Sequence, residues 1–275
     1  MYDEDMLRAM SEDEVRVQYL RPGELLRRKK AKPIIYLPLG PLEWHGPHCP
    51  LGVDAINAEQ LALGAARCTG GVVLPTLYMG TERERPPSML KWLGFKPDAF
   101  VEGMEFPKVT FRSFYFREEV FAVVLRNYMQ MVIGHGYRLL YVVNGHGATN
   151  HLNVIERLIK ELNAAQKTTR ILCLKIGTKA FGGLGHADAY ETSVMRYYDP
   201  SLVDLNALPS TRKVRRLKYA DYAIVDDGGF SGKPGPGHTI SPSKDPRYST
   251  TTAKGREFFS SLASQIVRDI HRAGV

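Results

Sequence analysis

Short β-prone apolar runs alternate with amphipathic stretches of helical period along this chain, and that alternation constrains the fold more than any other feature. Pro33 opens PIIYLPLG, a continuous apolar run that stops at Gly40-Pro41. Asn57 to Cys68 follows, with apolar residues at helical spacing behind an Asn cap. Val72 to Tyr78 reads as a second strand, with Pro75 marking a sheet edge or a strand end. Arg117 to Gly134 predicts a helix, Arg138 to Asn144 a strand, Asn150 to Gln166 a helix and Ile171 to Gly177 a fourth strand. Ala187 to Tyr198 is helical in pattern and closes at Asp199-Pro200, and Thr251 to Arg272 is a terminal amphipathic helix. Strands that alternate with such helices make βαβ units and a mainly parallel sheet covered on both faces. The expectation is one α/β domain over 1–275, a three-layer α/β/α sandwich. Residues 80–112, rich in Pro, Gly and charge, read as an irregular excursion. Residues 227–250, which hold the Gly- and Pro-dense GFSGKPGPGH, read as an active-site flap, a structured turn or a contact between subunits.

Composition enters by exclusion. With 275 residues, 44% of them apolar and 24% charged, the chain can bury a core without staples; disorder, collagen-like repeats and a disulfide scaffold are excluded. The three cysteines, Cys49, Cys68 and Cys173, are odd in number and far apart, which reads as free thiols in a reducing compartment. The opening MYDEDMLRAMSEDEVRVQYL is acidic and helix-like, with no apolar core of a signal peptide. The longest apolar runs fall far short of the roughly 20 residues a membrane helix needs. A cytoplasmic protein with no membrane partner is expected. The net charge of +8 concentrates in LRRKKAK and TRKVRRLK, but neither run interleaves aromatics suited to base stacking. No helix-turn-helix, zinc-finger or RNP pattern is present, so nucleic acid is not an expected partner.

In open parallel sheets ligands bind outside the carboxyl ends of the strands. After PIIYLPLG comes PLEWHGPHCPLGVD, with Glu43, His45, His48 and Asp54; after RLLYVVN comes GHGATNH, with His146 and His151. Soon after ILCLKIG comes GGLGHADAYETS, with His186, Asp188 and Glu191. Three strand ends thus each carry a histidine with a carboxylate or a second histidine. Imidazole and carboxylate are the donors that zinc, manganese and iron take where thiolates are absent. Glu43, His45, Asp54 and His146 are therefore candidate metal ligands. His48, His151 and His238 read as hydrogen-bonding residues.

PLGPLEWHGPHCPLGVDAINAE resembles the first signature of the creatininase family of metal-dependent amidohydrolases, whose usual form is P-x-G-S-x-E-Q-H-G-P-H-L-P-x-x-T-D. VVNGHGATN resembles the family's N-G-H-G-G-N turn, and HADAYETS its H-A-G-E-x-E-T-S segment. SPSKDPRYSTTTAKG is similar to its C-terminal G-D-P-x-x-A-T-x-E-K-G, and all four run in family order from about residue 35 to 256. The resemblance implies a creatininase-like fold with one or two divalent ions per chain, zinc foremost, manganese, iron or nickel also suiting the donors. Asp54 would bridge two ions, Glu43 and His146 would complete one site, and His45 would join the other. Creatininase has a glutamate two residues after the histidine of its N-G-H turn, where this chain has Ala148. Glu191 is the candidate replacement, its alternative role being a first-turn helix residue favoured by the macrodipole.

The implied reaction is hydrolysis of the C–N bond of a small cyclic or formyl-type amide through a metal-bound hydroxide. His186 would serve as catalytic proton donor, or else hydrogen bond within its turn, and Glu191 would be its catalytic companion. Opening of a cyclic ketone on the same metals, trimming of a modified peptide and a non-catalytic metal-binding role stand as alternatives. Gly185, Ala189 and the segment TLYMGTERERPPSMLKWLGF depart from the family pattern and argue against creatinine. That segment supplies Arg83, Arg85 and Trp92, which with Asp188 are candidate substrate contacts; surface ion pairs with Glu82 and Glu84 are the alternative for the arginines. Trp44 is expected to pack beside the metals, and Cys49 as a small neighbour, not a nucleophile. The expected partners are a small-molecule substrate and further copies of the chain, a hexamer being common in the family.

Overall fold

A continuous run such as IIYLPL, apolar on both faces, must be buried on both sides, and two such runs form the middle of the sheet. The computed structural model describes residues 14–82, 113–174, 186–208 and 245–275. Four parallel strands, β1 (Ile34–Leu39), β2 (Val72–Val73), β3 (Leu139–Asn144) and β4 (Arg170–Cys173), lie in the order β2-β1-β3-β4. Ile34 faces Leu139 and Leu39 faces Asn144, so β1 and β3 end level with each other. Every residue of both strands is buried.

Strand alternation divides the core in two. Ile34, Tyr36, Leu139, Tyr141 and Val143 pack on α2 (Val53–Thr69), α5 (Ala189–Tyr198) and α7 (Thr252–Ala273). Ile35, Leu37, Leu39, Leu140 and Val142 pack on α3 (Glu118–Gly134) and α4 (Thr149–Ala165). The helices meet the sheet through stripes at three- and four-residue spacing: Phe121, Leu125, Met129 and Val132 on α3, and Phe258, Leu262, Ile266 and Ile270 on α7. Each such side chain, fully buried, contributes about 1.5–3 kcal/mol. Two tyrosines at the middle of the core keep their hydroxyls satisfied, Tyr141 donating to Asp269 Oδ2 at 2.8 Å and Tyr36 bonding Thr69, while a third, Tyr137, is buried just before β3. The result is an α/β/α single domain, as the pattern predicts.

Several boundaries differ from the sequence reading. The helix expected from Asn57 begins at Val53, because Asn57 is no cap: it faces inward and accepts the Tyr198 hydroxyl at 2.7 Å. The second strand ends at Val73, after which only Leu77 bridges to Leu39; Pro75 has no N–H to offer the ladder. The described part of the opening segment is not helical beyond a 3₁₀ turn at Val17–Tyr19, and Arg16 bridges Val73 as an added edge. The basic run belongs to a helix the sequence reading missed, α1 (Pro22–Ala31), with Glu24 accepting the Arg21 N–H at its start. The 83–112 part of the excursion, the last residues of the fourth strand beyond Leu174, and 227–244 lie outside the described residues. A short helix, α6 (Pro246–Ser249), precedes α7.

The chain leaves β1 for β2 on one side and returns to β3 on the other. This topological switch opens a crevice between the carboxyl ends of β1 and β3.

Candidate metal centre

Three backbone segments converge on that crevice. The chain beyond β1 carries Glu43 and His45, the turn after β3 carries His146, and the first turn of α2 places Asp54 between them. Glycines permit the convergence. A Cβ on Gly40 would lie 2.7 Å from Asp54 Cβ, and one on Gly145 would lie 2.0 Å from Asp54 O. Both strand ends can press on the same helical turn only because those side chains are absent.

Asp54 is shared by two similar groups. Its Oδ2 lies 2.9 Å from His146 Nδ1, which is also 3.1 Å from Glu43 Oε2. Its Oδ1 lies 3.3 Å from His45 Nε2, which is 3.7 Å from Glu191 Oε2. Each side therefore has one histidine, one glutamate and one oxygen of Asp54, with donor atoms inside 4.8 Å of one another. Ligands about 2.0–2.2 Å from a common ion lie roughly 3.0–3.5 Å from each other, and the donor separations here run from 2.9 to 3.7 Å around that spacing. Glu43, His45 and His186 form a third such group around the same cavity.

The protonation pattern of His45 identifies what the site requires. Its Nδ1 lies 3.1 Å from the Glu43 carbonyl oxygen, which can only accept, so Nδ1 carries the proton. Nε2 then directs a lone pair at two carboxylates and has no hydrogen-bond partner among the described residues. A lone pair facing anions in a buried site needs a cation between them. Without a metal, protons fill that role. Burial lowers the His45 pKa, but Asp54 and Glu191 outweigh it and raise it; His146 is raised likewise by Glu43 and Asp54. Burial acts to raise the carboxylates, yet the imidazoles hold Asp54 and Glu43 below their usual range. Glu191 is pushed up, by burial first and then by Asp54 and Asp188. The donor set fits divalent metal ions.

The supporting contacts fix these groups. Asn144 at the end of β3 accepts the His146 N–H at 3.2 Å and donates to the His146 carbonyl at 2.6 Å, forming the turn. His151 donates from Nε2 to Asn144 at 2.9 Å, accepts the Thr81 N–H at Nδ1 and sets its ring edgewise on His146. Both of its nitrogens are thus used in the neutral form, and burial and His146 hold its pKa well down. His186 donates from Nε2 to the Trp44 carbonyl, leaving Nδ1 open 3.4 Å from Glu43 Oε1. Burial pushes His186 down to about 4 despite Glu43, so it is neutral. His48 bonds the Thr192 hydroxyl at 2.9 Å and is lowered to about 4 by burial. Cys49 sits 3.7 Å from the same hydroxyl, and burial pushes its thiol up to about 12. Cys49, Cys68 and Cys173 form no disulfide.

Asp188, expected among the substrate contacts, is the N-cap of α5: it is buried and accepts the N–H groups of Tyr190 at 2.9 Å and Glu191 at 3.1 Å. Ala187 before it has φ +54°, and its N–H donates to Glu191 Oε2 at 2.5 Å, turning that carboxylate back toward His45. Ala148 is the N-cap of α4 and offers no donor atom. Arg83, Arg85 and Trp92 lie outside the described residues. The sequence reading missed Tyr115, whose hydroxyl donates to Glu82 Oε2 at 3.2 Å and whose ring is 5.9 Å from that of His146. Nothing in SFYFRE sets that tyrosine apart; a pairing between residues 113–116 and 42–44, distant in sequence, places it there. Asn144 and His151 were visible as side chains, but their network depends on the contact with Thr81.

Comparison with known proteins agrees over nearly the whole chain. Residues 18–270 match the family model described as Creatininase: Creatinine amidohydrolase. The mycofactocin precursor peptide peptidase of Mycobacterium ulcerans is 26% identical over 249 residues, covering 87% of this chain and 85% of that protein. A crystal structure of creatinine amidohydrolase superposes with a TM-score of 0.65 at 22% identity, covering 94% of this chain and 97% of that one. A creatininase described with manganese gives 0.64 at 23% identity, covering 94% and 98%.

Proposed function

The chain belongs to the creatininase family of hydrolases, and from that premise we propose that it is a divalent-metal-dependent enzyme cutting the C–N bond of a small cyclic or formyl-type amide other than creatinine. The observation that carries this reading is His45 Nε2, a buried lone pair aimed at Asp54 and Glu191, with His146 Nδ1 facing Glu43 and the other oxygen of Asp54 across the site. Glu43, His146 and Asp54 Oδ2 would hold one ion; His45, Glu191 and Asp54 Oδ1 would hold the other. Bound there, such ions lower the pKa of a shared water toward neutrality and draw charge from a carbonyl oxygen. Zinc is the proposed ion, with manganese, iron and nickel suited to the same nitrogen and oxygen donors.

His186 enters the reaction neutral. Anchored through Nε2–H to Trp44, it takes the proton of the attacking water at Nδ1 and returns it to the leaving nitrogen. Glu43 faces Nδ1 and stabilises the imidazolium between those transfers. Glu191 replaces the carboxylate that Ala148 cannot supply. A peptide amide is the second reading, favoured by the mycofactocin precursor peptide peptidase.

The test is turnover by zinc- and manganese-loaded protein on cyclic amides, N-formyl compounds, short peptides and a cyclic 1,3-diketone. Hydrolysis of a cyclic or formyl amide that disappears in Glu43→Gln is expected. Turnover retained by Glu43→Gln, or none by the loaded wild type, overturns the reading.

The same reading places the enzyme in the cytoplasm, supported by three cysteines that form no disulfide; no described helix is long and apolar enough to cross a membrane. It also makes the enzyme a homo-oligomer. Phe116, Val120, Val123 and Met131 form an exposed apolar stripe leading along α3, a surface that association would cover. Light scattering showing a monomer at micromolar concentration would remove that element.

A further inference from the structure

Residues 113–116 run antiparallel beside 42–44. The Phe114 N–H donates to Leu42 O at 2.8 Å, the Trp44 N–H donates to Ser113 Oγ at 3.1 Å, and the Phe116 N–H donates to Gly80 O at 2.9 Å. In extended chain successive side chains point to opposite faces. Phe114 and Phe116 are 57% and 37% exposed, and Tyr115 between them turns inward over the donor set. Its ring lies 5.9 Å from that of His146. Its hydroxyl donates to Glu82 Oε2 at 3.2 Å, with the Glu43 carboxylate beside it.

Among the described residues the groups converging on Asp54 are mostly acceptors, and two of their ring N–H donors are already engaged. His45 Nδ1–H is engaged by the Glu43 carbonyl, and His186 Nε2–H by that of Trp44. Both contacts are to backbone carbonyls, that of His45 within its own turn and that of His186 across to the segment after β1, and giving either up would release the ring it orients. Tyr115 differs, because its donor rests on a side chain and a phenol hydroxyl rotates freely about its C–O bond.

We propose that Tyr115 is a catalytic hydrogen-bond donor to the carbonyl oxygen of the amide, exchanging Glu82 for that oxygen when substrate binds. This rests on the hydrolase reading above. As the oxygen of water bonds to the carbonyl carbon, the C=O π pair moves onto the carbonyl oxygen. The Tyr115 O–H donates to the charge that gathers there and keeps its own proton. A donor aimed at developing charge in a water-poor site acts mainly on the transition state.

The experiment compares metal-loaded wild type with Tyr115→Phe in four readouts: kcat, KM, metal content and competition by inorganic phosphate, a tetrahedral oxyanion. The expected result is a kcat lowered about a hundredfold, with KM within about threefold and metal content unchanged. Phosphate should inhibit the variant at least about tenfold more weakly. An unchanged kcat in Tyr115→Phe overturns the proposal while leaving the hydrolase reading intact. Loss of metal or of thermal stability in parallel with kcat also overturns it, since Tyr115 would then be structural. A loaded wild type that turns over no amide and binds no phosphate removes the hydrolase reading and this inference with it.

Discussion

Replacing Gly145 by alanine should damage the metal centre without touching a donor atom. The added Cβ would lie 2.0 Å from Asp54 O, 2.7 Å from its carbonyl carbon and 3.0 Å from its Cα, all backbone of the helical turn that holds the shared carboxylate. Those atoms cannot rotate away as a side chain would. To reach even a 3.0 Å contact, the turn after β3 must retreat from α2 by about 1 Å. His146 follows Gly145 directly, and its Nδ1 is 2.9 Å from Asp54 Oδ2. A metal site tolerates distance errors of only about 0.2 Å, so the retreat opens the group formed by Glu43, Asp54 and His146. Zinc affinity should fall at least about tenfold, and stability by about 1–3 kcal/mol, the usual range for overpacking. Gly147→Ala is the control: it lies in the same turn, and its Cβ would meet no heavy atom within 4 Å. It should change stability by no more than about 0.5 kcal/mol, apart from a small gain through the unfolded chain. Zinc competition against a chelating dye, with thermal melts of the apo forms, measures both quantities. Wild-type zinc affinity in Gly145→Ala, or equal losses in the two variants, would refute the reasoning.

Protonation gives a second prediction. His48 is held at about 4 in the fold against 6.5 for a free imidazole, so the unfolded chain binds a proton that the folded chain refuses. Its contribution is fully present above pH 6.5 and is lost as the pH falls toward 4, about 3 kcal/mol for the whole shift. His186 and His151, also lowered, add slope of the same sign, and Glu191, raised by burial, opposes part of it. Urea unfolding of the apo protein should therefore show stability dropping from pH 7 to 4.5, and His48→Gln should flatten that slope. Asp188→Ala removes two N-cap hydrogen bonds and should cost about 1 kcal/mol, recovered by Asp188→Asn, which caps equally well; calorimetry of the three proteins decides it. Phe121→Ala empties a fully buried site stacked 4.5 Å from the His151 ring and should cost about 3–5 kcal/mol by urea unfolding; a loss under 1 kcal/mol would mean that the α3 face carries little of the core.

Much of this architecture is legible in the sequence because the physics behind it is local. PIIYLPLG and RLLYVVN are too apolar to lie anywhere but in the middle of a sheet, and both do. The stripes of α3 and α7 have the period of a helix, and their bounds fall within a residue or two of the pattern. The misreadings arise where distant contacts decide. Asn57 has the chemistry of a cap, but Tyr198 supplies its partner and the helix extends past it to Val53, taking in Asp54. That extension matters, since it sets Asp54 on a rigid first turn and not in a loop. Asp188 shows the converse: a carboxylate in a histidine-rich segment reads as a ligand-binding group, and folding gives its Oδ1 the separate task of accepting two amides at the start of α5. Glu43, His45, Asp54 and His146 could be nominated from strand ends alone, whereas the pairing of His45 with Glu191 spans most of the chain and is visible only once folded. Tyr115 was silent in sequence for the same reason.

Elemental analysis of the purified protein tests the central claim most directly. The shared role of Asp54 predicts about two equivalents of divalent metal per chain after loading with zinc or manganese, falling to about one in Glu191→Gln. No bound metal after such loading, or two equivalents retained by Glu191→Gln, would contradict the paired centre on which the proposed chemistry depends.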